Sequence, residues 1–201
     1  AGRVDREQTW SRAADLSAEN EAGAEFDVEG LERLGIAAVY VAQLLADMAR
    51  TVDHISAGRL ILGIGSGGFE RDYTEYGYDF GTAGGRLDAL GEALPLIEER
   101  WKTLVPPPTR KIPVLIGGGG EKKTLRFVAR HADIWHTFVQ GADLAHKIEV
   151  LRGHCAREGR DPAEIEVSVG VGGRGREGRL PDPPEVEGRP LRDLGASLFT
   201  I

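Results

Sequence analysis

Apolar residues in this chain recur at two periods. From residue 34 onward, short apolar runs alternate with stretches in which apolar side chains return every three or four positions. A short run bounded by glycine, proline or charge reads as a buried strand, and the longer period reads as a helix with one apolar stripe. Leu34 to Val41, Leu60 to Ile64, Ile112 to Ile116, Asp133 to Thr137, Ile165 to Val171 and Ser197 to Ile201 are the candidate strands, six in all. Leu87, Leu90, Leu94, Ile97 and Trp101 mark one helix, and Leu144, Ile148, Leu151 and Cys155 another. A helix from about Gln43 to Ser56 would turn Leu45, Met48, Val52 and Ile55 inward. Gly58 and Gly159 supply left-handed stops after the first and last of these helices. Strands alternating with helices predict parallel strands covered by helices, so the fold class is α/β.

Some segments depart from the alternation. Pro106-Pro107-Pro108 reads as a stiff extended connector, and Gly172 to Pro190, rich in Gly, Pro, Arg and Glu, as a long mobile loop, either a lid or disorder. Trp10 to Ala22 can form a helix, but Gly23 to Glu32 is too short for the strand and helix due next. With 201 residues, 41% of them apolar and 28% charged, the chain fits one soluble globular domain spanning 1–201. A formal net charge of -7 opposes sequence-independent binding to nucleic acid or to an anionic membrane, which leaves small molecules as the expected partners. Cys155 is the single cysteine, which excludes an intrachain disulfide framework and a cysteine-based zinc cage. A reducing cytoplasm is the expected compartment, since no apolar run approaches a membrane span and the polar start lacks a signal peptide's hydrophobic region.

Two glycine clusters follow strands. Val114-Leu115-Ile116 runs into Gly117, Gly118, Gly119 and Gly120, and a helix pattern opens at Glu121. Glycines let backbone N–H groups approach an anion, and a helix start adds unpaired N–H groups and the positive end of a dipole. Lys122, Lys123 and Arg126 add point charges, so this segment reads as a phosphate cradle; a flexible glycine linker is the alternative. The second cluster, Gly63-Ile64-Gly65-Ser66-Gly67-Gly68, matches the dinucleotide fingerprint G-x-G-x-x-G. Its sequel Phe69 to Tyr76 is polar and aromatic and stops at Gly77, whereas a dinucleotide site needs an apolar helix there. A strand-end loop that lets a flat ring lie on Gly65, Ser66 and Gly67 is the better reading, with a tight structural turn as its alternative.

The run from Met48 to Gly67 resembles the luciferase-like monooxygenase family, in particular its branch dependent on the deazaflavin coenzyme F420. So do Tyr76 to Thr82, Arg86-Leu87-Asp88, Ile116 to Gly120 and Ala129 to Trp135, in the expected order. The resemblance implies a TIM-type (β/α)₈ barrel with the ligand at the carboxyl ends of the strands. It implies that Gly117 to Gly120 and the helix after them hold the phosphate of F420 or FMN, and that the loop Gly65 to Gly68 lies near the ring system. The implied activity is oxidoreduction, by hydride transfer with F420 or by oxygen activation with FMN, and a homodimer is implied as well. A full barrel takes about 250 residues, and only about six strands are readable, so the barrel is expected to be incomplete. Joins such as Ala24-Glu25-Phe26 read as family sequence with loops removed, and the chain alone is expected not to close a barrel. A truncated barrel that binds a phosphorylated ligand without redox chemistry is the alternative of another class.

Catalytic residues are mostly beyond this reading. His136 at a strand end can carry a proton or make a structural hydrogen bond, while Glu70 stands near the position where some relatives place a glutamate but is displaced from it by Gly68. His54 fits a helix-dipole role, and His131, His146 and His154 have no metal-ligand spacing, so no metal is expected. Tyr73, Tyr76 and Tyr78 are expected to pack as aromatics over the barrel mouth, with a substrate pocket as the other reading. Asp53 and Asp88 read as helix-surface or ion-paired groups. No nucleophile with an adjacent base is recognisable, and the substrate, chosen by variable loops, is not legible.

Overall fold

The structure is a computed structural model and describes residues 36–139, 141–170, 185–186 and 189–200. The chain divides into two compact units, Ala1–Tyr40 and Val41–Ile201, and the first is described only in residues 36–40. The helix expected at Trp10 to Ala22 lies outside the described residues, as does most of Gly172 to Pro190.

The first described element is helix α1, Ile36–Ile55. It replaces the strand expected at Leu34 to Val41: a short apolar run does not by itself separate strand from helix, and Ala37 and Ala38 within it favour the helix. Then follow β1 (Leu62–Ile64), a six-residue helix α2 (Glu70–Glu75) and α3 (Ala83–Thr103). Next come β2 (Val114–Gly117), α4 (Thr124–His131), β3 (Ile134–Thr137), α5 (Gly141–Glu158) and β4 (Glu166–Gly170). Two short strands, β5 (Glu185–Val186) and β6 (Arg189–Pro190), pair antiparallel inside the segment expected to be a mobile loop, and β7 (Ala196–Thr200) ends the sheet.

The main sheet is parallel, in the order β1-β2-β3-β4-β7. Neighbours in the sheet therefore follow one another along the chain, the winding of a barrel wall, and not the reversal that creates a doubly wound sheet. Ile64, Ile116, Trp135, Val167 and Ala196 fall in one register row, and Ile116 and Trp135 are fully buried. That face packs on Leu90 and Leu94 of α3, Leu125 and Val128 of α4, and Leu144, Ile148 and Leu151 of α5 in one core. Burial of each such side chain contributes on the order of 2 kcal/mol. Left-handed backbone at Gly58 and Gly159 ends α1 and α5 where the sequence places the stops.

One stripe is reversed. α1 buries Ala42, Ala46, Ala49 and Asp53, while Met48, Val52 and Ile55, expected inward, are exposed together with Val41 and Leu44. The small side chains let α1 approach α3 closely enough for the Trp101 indole N–H to donate to the Ala46 carbonyl at 3.0 Å and for Arg100 to pair with Asp47 at 2.7 Å. Asp53, expected at the surface, is fully buried: its Oδ2 accepts from the Thr109 amide at 2.8 Å and the Thr109 hydroxyl at 2.6 Å. These hydrogen bonds, led by the hydroxyl, hold its carboxyl below the ordinary range against the cost of burial.

Candidate active site

β1 and β2 are neighbours in the parallel sheet, so the two glycine clusters leave it at the same end. A Cβ placed on Gly65 would lie 3.7 Å from the Gly117 carbonyl oxygen, which sets the clusters side by side. Gly67 has φ 70, and a Cβ there would collide with the Tyr73 hydroxyl at 2.3 Å. Arg86 reaches back from α3 to donate to the Gly67 carbonyl at 3.2 Å and to Phe80 at 2.8 Å while stacking on the Phe80 ring at 3.6 Å. This first loop is thus held from α3, and α2, which follows it, buries none of its residues. The dinucleotide reading fails for that reason, since it needs a helix packed on the sheet there. The Ser66 hydroxyl makes no hydrogen bond among the described residues and is free to serve a ligand.

The second loop is braced from behind. The Trp135 indole N–H donates to the Gly118 carbonyl at 2.8 Å, Lys147 Nζ to Gly119 at 2.7 Å, the Leu125 amide to Gly120 at 2.9 Å and His154 Nε2 to Glu121 at 2.8 Å. His154 Nδ1 faces the Arg157 guanidinium at 2.9 Å, and because a guanidinium only donates, Nε2 carries the ring proton. Four successive carbonyls are therefore occupied. The N–H groups of Gly119, Gly120, Glu121 and Lys122 find no acceptor among the described residues. A run of N–H groups without an acceptor, next to the start of α4, is a backbone arrangement that suits an anion. Gly118, at φ 125, takes a backbone conformation that side-chain-bearing residues rarely adopt, and a Cβ on Gly120 would meet Thr124 Oγ1 at 2.8 Å. The loop therefore fits a phosphate group, and its shape needs glycine.

Of the cations the sequence offers this loop, Lys122 and Arg126 are exposed and Lys123 pairs with Asp88. Lys147, from α5, went unnoticed in the sequence. Its only signal there is its place beside the buried stripe of Leu144, Ile148 and Leu151.

Gly117, His136 and Ser168 share a register row across β2, β3 and β4, on the face opposite Ile116 and Trp135. His136 Nδ1 lies 2.9 Å from the buried Ser168 hydroxyl, and its ring meets Phe138 edge-on at 4.9 Å. Burial pushes its pKa below the ordinary 6.5, which favours the neutral ring. A neutral imidazole in this row can hold or pass a proton. Glu70, the other candidate, is exposed on α2.

The remaining histidines and tyrosines serve structure or solvent. His54 meets the Pro107 carbonyl at 2.8 Å and His131 pairs with Glu98 at 2.9 Å. Tyr73 packs edge-on against Phe80 at 5.0 Å, whereas Tyr76 and Tyr78 are exposed instead of packed. Among the described residues no group of three or more potential ligands is placed to hold a metal, and no helix is long and apolar enough to cross a membrane. A cavity of about 490 Å³ opens at the other end of the strands, between Trp101, Ile112, Val114 and Arg160. Its cations are engaged: Lys111 with Asp133, Arg160 with Glu164 at 3.3 Å, and Arg110 with the Gly58 and Leu60 carbonyls. Barrel chemistry belongs to the carboxyl ends of the strands, so the glycine loops are the candidate site.

Comparisons with known proteins agree with this fold. The chain is 29% identical over 144 residues to the uncharacterized proteins Rv0953c of Mycobacterium tuberculosis and Mb0978c of Mycobacterium bovis, a match covering 63% of this chain and 50% of theirs. It thus spans about half the length of these curated relatives. Among solved structures it resembles an F420-dependent secondary alcohol dehydrogenase, with TM-score 0.54 and 19% identity over 67% of this chain and 44% of that one. It also resembles the coenzyme F420 dependent tetrahydromethanopterin reductase of Methanopyrus kandleri, with TM-score 0.53 and 18% identity over 65% and 46%. The EDTA monooxygenase of Chelativorans sp. BNC1 follows, with TM-score 0.51 and 16% identity over 68% and 41%. At such identities these likenesses concern the fold. The family described as luciferase-like monooxygenase matches residues 33–172, which is most of the chain, and this protein belongs to that family.

Proposed function

We propose that the chain carries the cofactor-phosphate site of a flavin- or deazaflavin-dependent oxidoreductase, with coenzyme F420 as the cofactor and a small organic molecule as the substrate. The observation that supports this most is the glycine loop, in which the carbonyls of Gly118 to Glu121 are engaged while the N–H groups of Gly119 to Lys122 find no acceptor among the described residues. Gly117 to Gly120 and Lys122 would hold the phosphate, and Gly65, Ser66 and Gly67 would lie under the ring system. When bound, the deazaflavin supplies hydride transfer, and the protein's task is to orient it and keep water away. His136, neutral and fixed by Ser168, is among the described residues the one suited to hold a proton at Nε2 or take one there. Two structural neighbours are F420-dependent enzymes, which favours F420, and the third is a monooxygenase.

Titration with oxidised F420 and with FMN, followed by cofactor fluorescence and repeated in excess phosphate, tests this reading. Saturable F420 binding that phosphate weakens is expected. Preference for FMN would replace the cofactor, and binding of neither would favour a phosphate-binding barrel without redox chemistry. Gly118→Val should abolish binding because φ 125 excludes a branched side chain, whereas Gly117→Ala, with nothing within 4 Å of its Cβ, should retain it. A homodimer belongs to the same reading, with the exposed stripe of α1 as its contact.

A further inference from the structure

Lys147 stands apart from the other cations near the glycine loop. Its side chain is only 16% exposed, and its Nζ is split between the Gly119 carbonyl at 2.7 Å and Glu121 Oε1 at 3.0 Å. An ammonium has three donors, so one remains after these two bonds. Glu121 is the looser partner, since its side chain is 43% exposed and water can solvate the carboxylate once it is released. Lys147, and after it His146 at 3.6 Å, hold the Glu121 carboxyl below the ordinary range, so it is charged at neutral pH. An anion arriving at the N–H groups of Gly119 to Lys122 therefore meets a carboxylate already paired with a cation that is anchored to the loop.

We propose that Lys147 is the charge that recognises a phosphate group at the glycine loop, and that Glu121 is a resident counter-ion which the phosphate must displace from it. The inference rests on the reading of this loop as a phosphate site and adds the residue that supplies the charge and the residue that sets the threshold. Carboxylate and phosphate compete for one ammonium, so the two residues act on affinity with opposite sign. Removing the Lys147 charge takes away attraction. Removing the Glu121 charge takes away a competitor and a like-charge repulsion, while a glutamine there still accepts from Lys147. Two histidines of α5 are also near Glu121: His154, held in its Nε2–H form by Arg157, bonds the Glu121 backbone and not its side chain, and His146 stands farther from the carboxylate, at 3.6 Å, than Lys147 at 3.0 Å.

A purely structural ion pair predicts something else. If Lys147 and Glu121 only braced the loop, loss of either charge would loosen it and weaken binding in both cases.

The test is calorimetric titration of the full chain with inorganic phosphate, as wild type, Lys147→Gln, Glu121→Gln and Gly118→Val, with phosphate-dependent melting as a second readout. Lys147→Gln is expected to weaken phosphate binding about tenfold and Glu121→Gln to tighten it several-fold, the size of one charge interaction near a protein surface. Weakening in both, or no change in Glu121→Gln, would overturn the inference while leaving the phosphate site standing. No phosphate binding by wild type, or binding indifferent to Gly118→Val, would remove the site and the inference together. Should Lys147→Gln fail to fold, the sign in Glu121→Gln decides alone: tightening supports the exchange, and anything else refutes it.

Discussion

His136 illustrates how much a single side chain's surroundings decide. The sequence offers it equally as a ligand-facing proton carrier and as a structural donor, and the fold makes it a neutral ring bonded to Ser168 in the row that contains Gly117. Its folded-state pKa lies below the ordinary 6.5, so between those two values the unfolded chain binds more protons than the folded one. Stability from this group is complete above pH 6.5 and declines as the pH falls through that window. Urea midpoints measured from pH 7.5 down to 5 should accordingly drop less steeply in His136→Asn than in wild type; parallel curves would mean the ring is as easily protonated folded as unfolded. Some residues were misread for a related reason. Asp53 looks like one more charge on a helix, and only the turn that brings Thr109 beside it makes burial affordable. Lys147 carries no mark in the sequence, because its value comes from where α5 runs relative to the glycine loop.

Elements were more legible than their faces. Four of the candidate strands from Leu60 onward reappear within two residues at each end in β1, β2, β3 and β4, and the last reappears as β7. The apolar periods place α3 and α5, and glycines at positive φ stop α1 and α5 as the sequence suggests. Period alone did not orient α1. Two stripes share its surface, one of small residues and one of large, and hydrophobicity points to the large one, whereas close approach to α3 selects the small. The large stripe, Val41, Leu44, Met48, Val52 and Ile55, steps by three, four, four and three and so reads the same from either end. Two copies of α1 crossing antiparallel at Met48 would set Val41 opposite Ile55 and Leu44 opposite Val52, the self-complementarity a two-fold contact requires. Sedimentation should show wild type as a dimer and Met48→Glu shifted toward monomer at the same concentration. A wild type that stays monomeric would dismiss this contact.

At the scale of the whole molecule, the winding of the sheet was readable and its extent was not. Alternating strands and helices predict parallel strands, but only coordinates show chain order preserved across the sheet with α3, α4 and α5 packed on one face. Among the described residues β2, β3 and β4 are bonded on both sides, whereas β1 and β7 each have one partner. Amide exchange should follow this arrangement, with Ile116, Trp135 and Val169 the slowest and β1 and β7 exchanging earlier through local opening. Uniform protection across all five strands would indicate that the edges gain partners in solution. The chain also spans about half the length of the curated relatives it matches.

The four engaged carbonyls of the glycine loop have a kinetic consequence. Since Trp135, Lys147, Leu125 and His154 fix the backbone before any anion arrives, little remains to be ordered on encounter, and the entropy of shaping the loop is spent during folding. Capture would then need no reshaping of the backbone, only the release of Glu121 from Lys147, and differences between phosphorylated ligands would appear in how long each one stays.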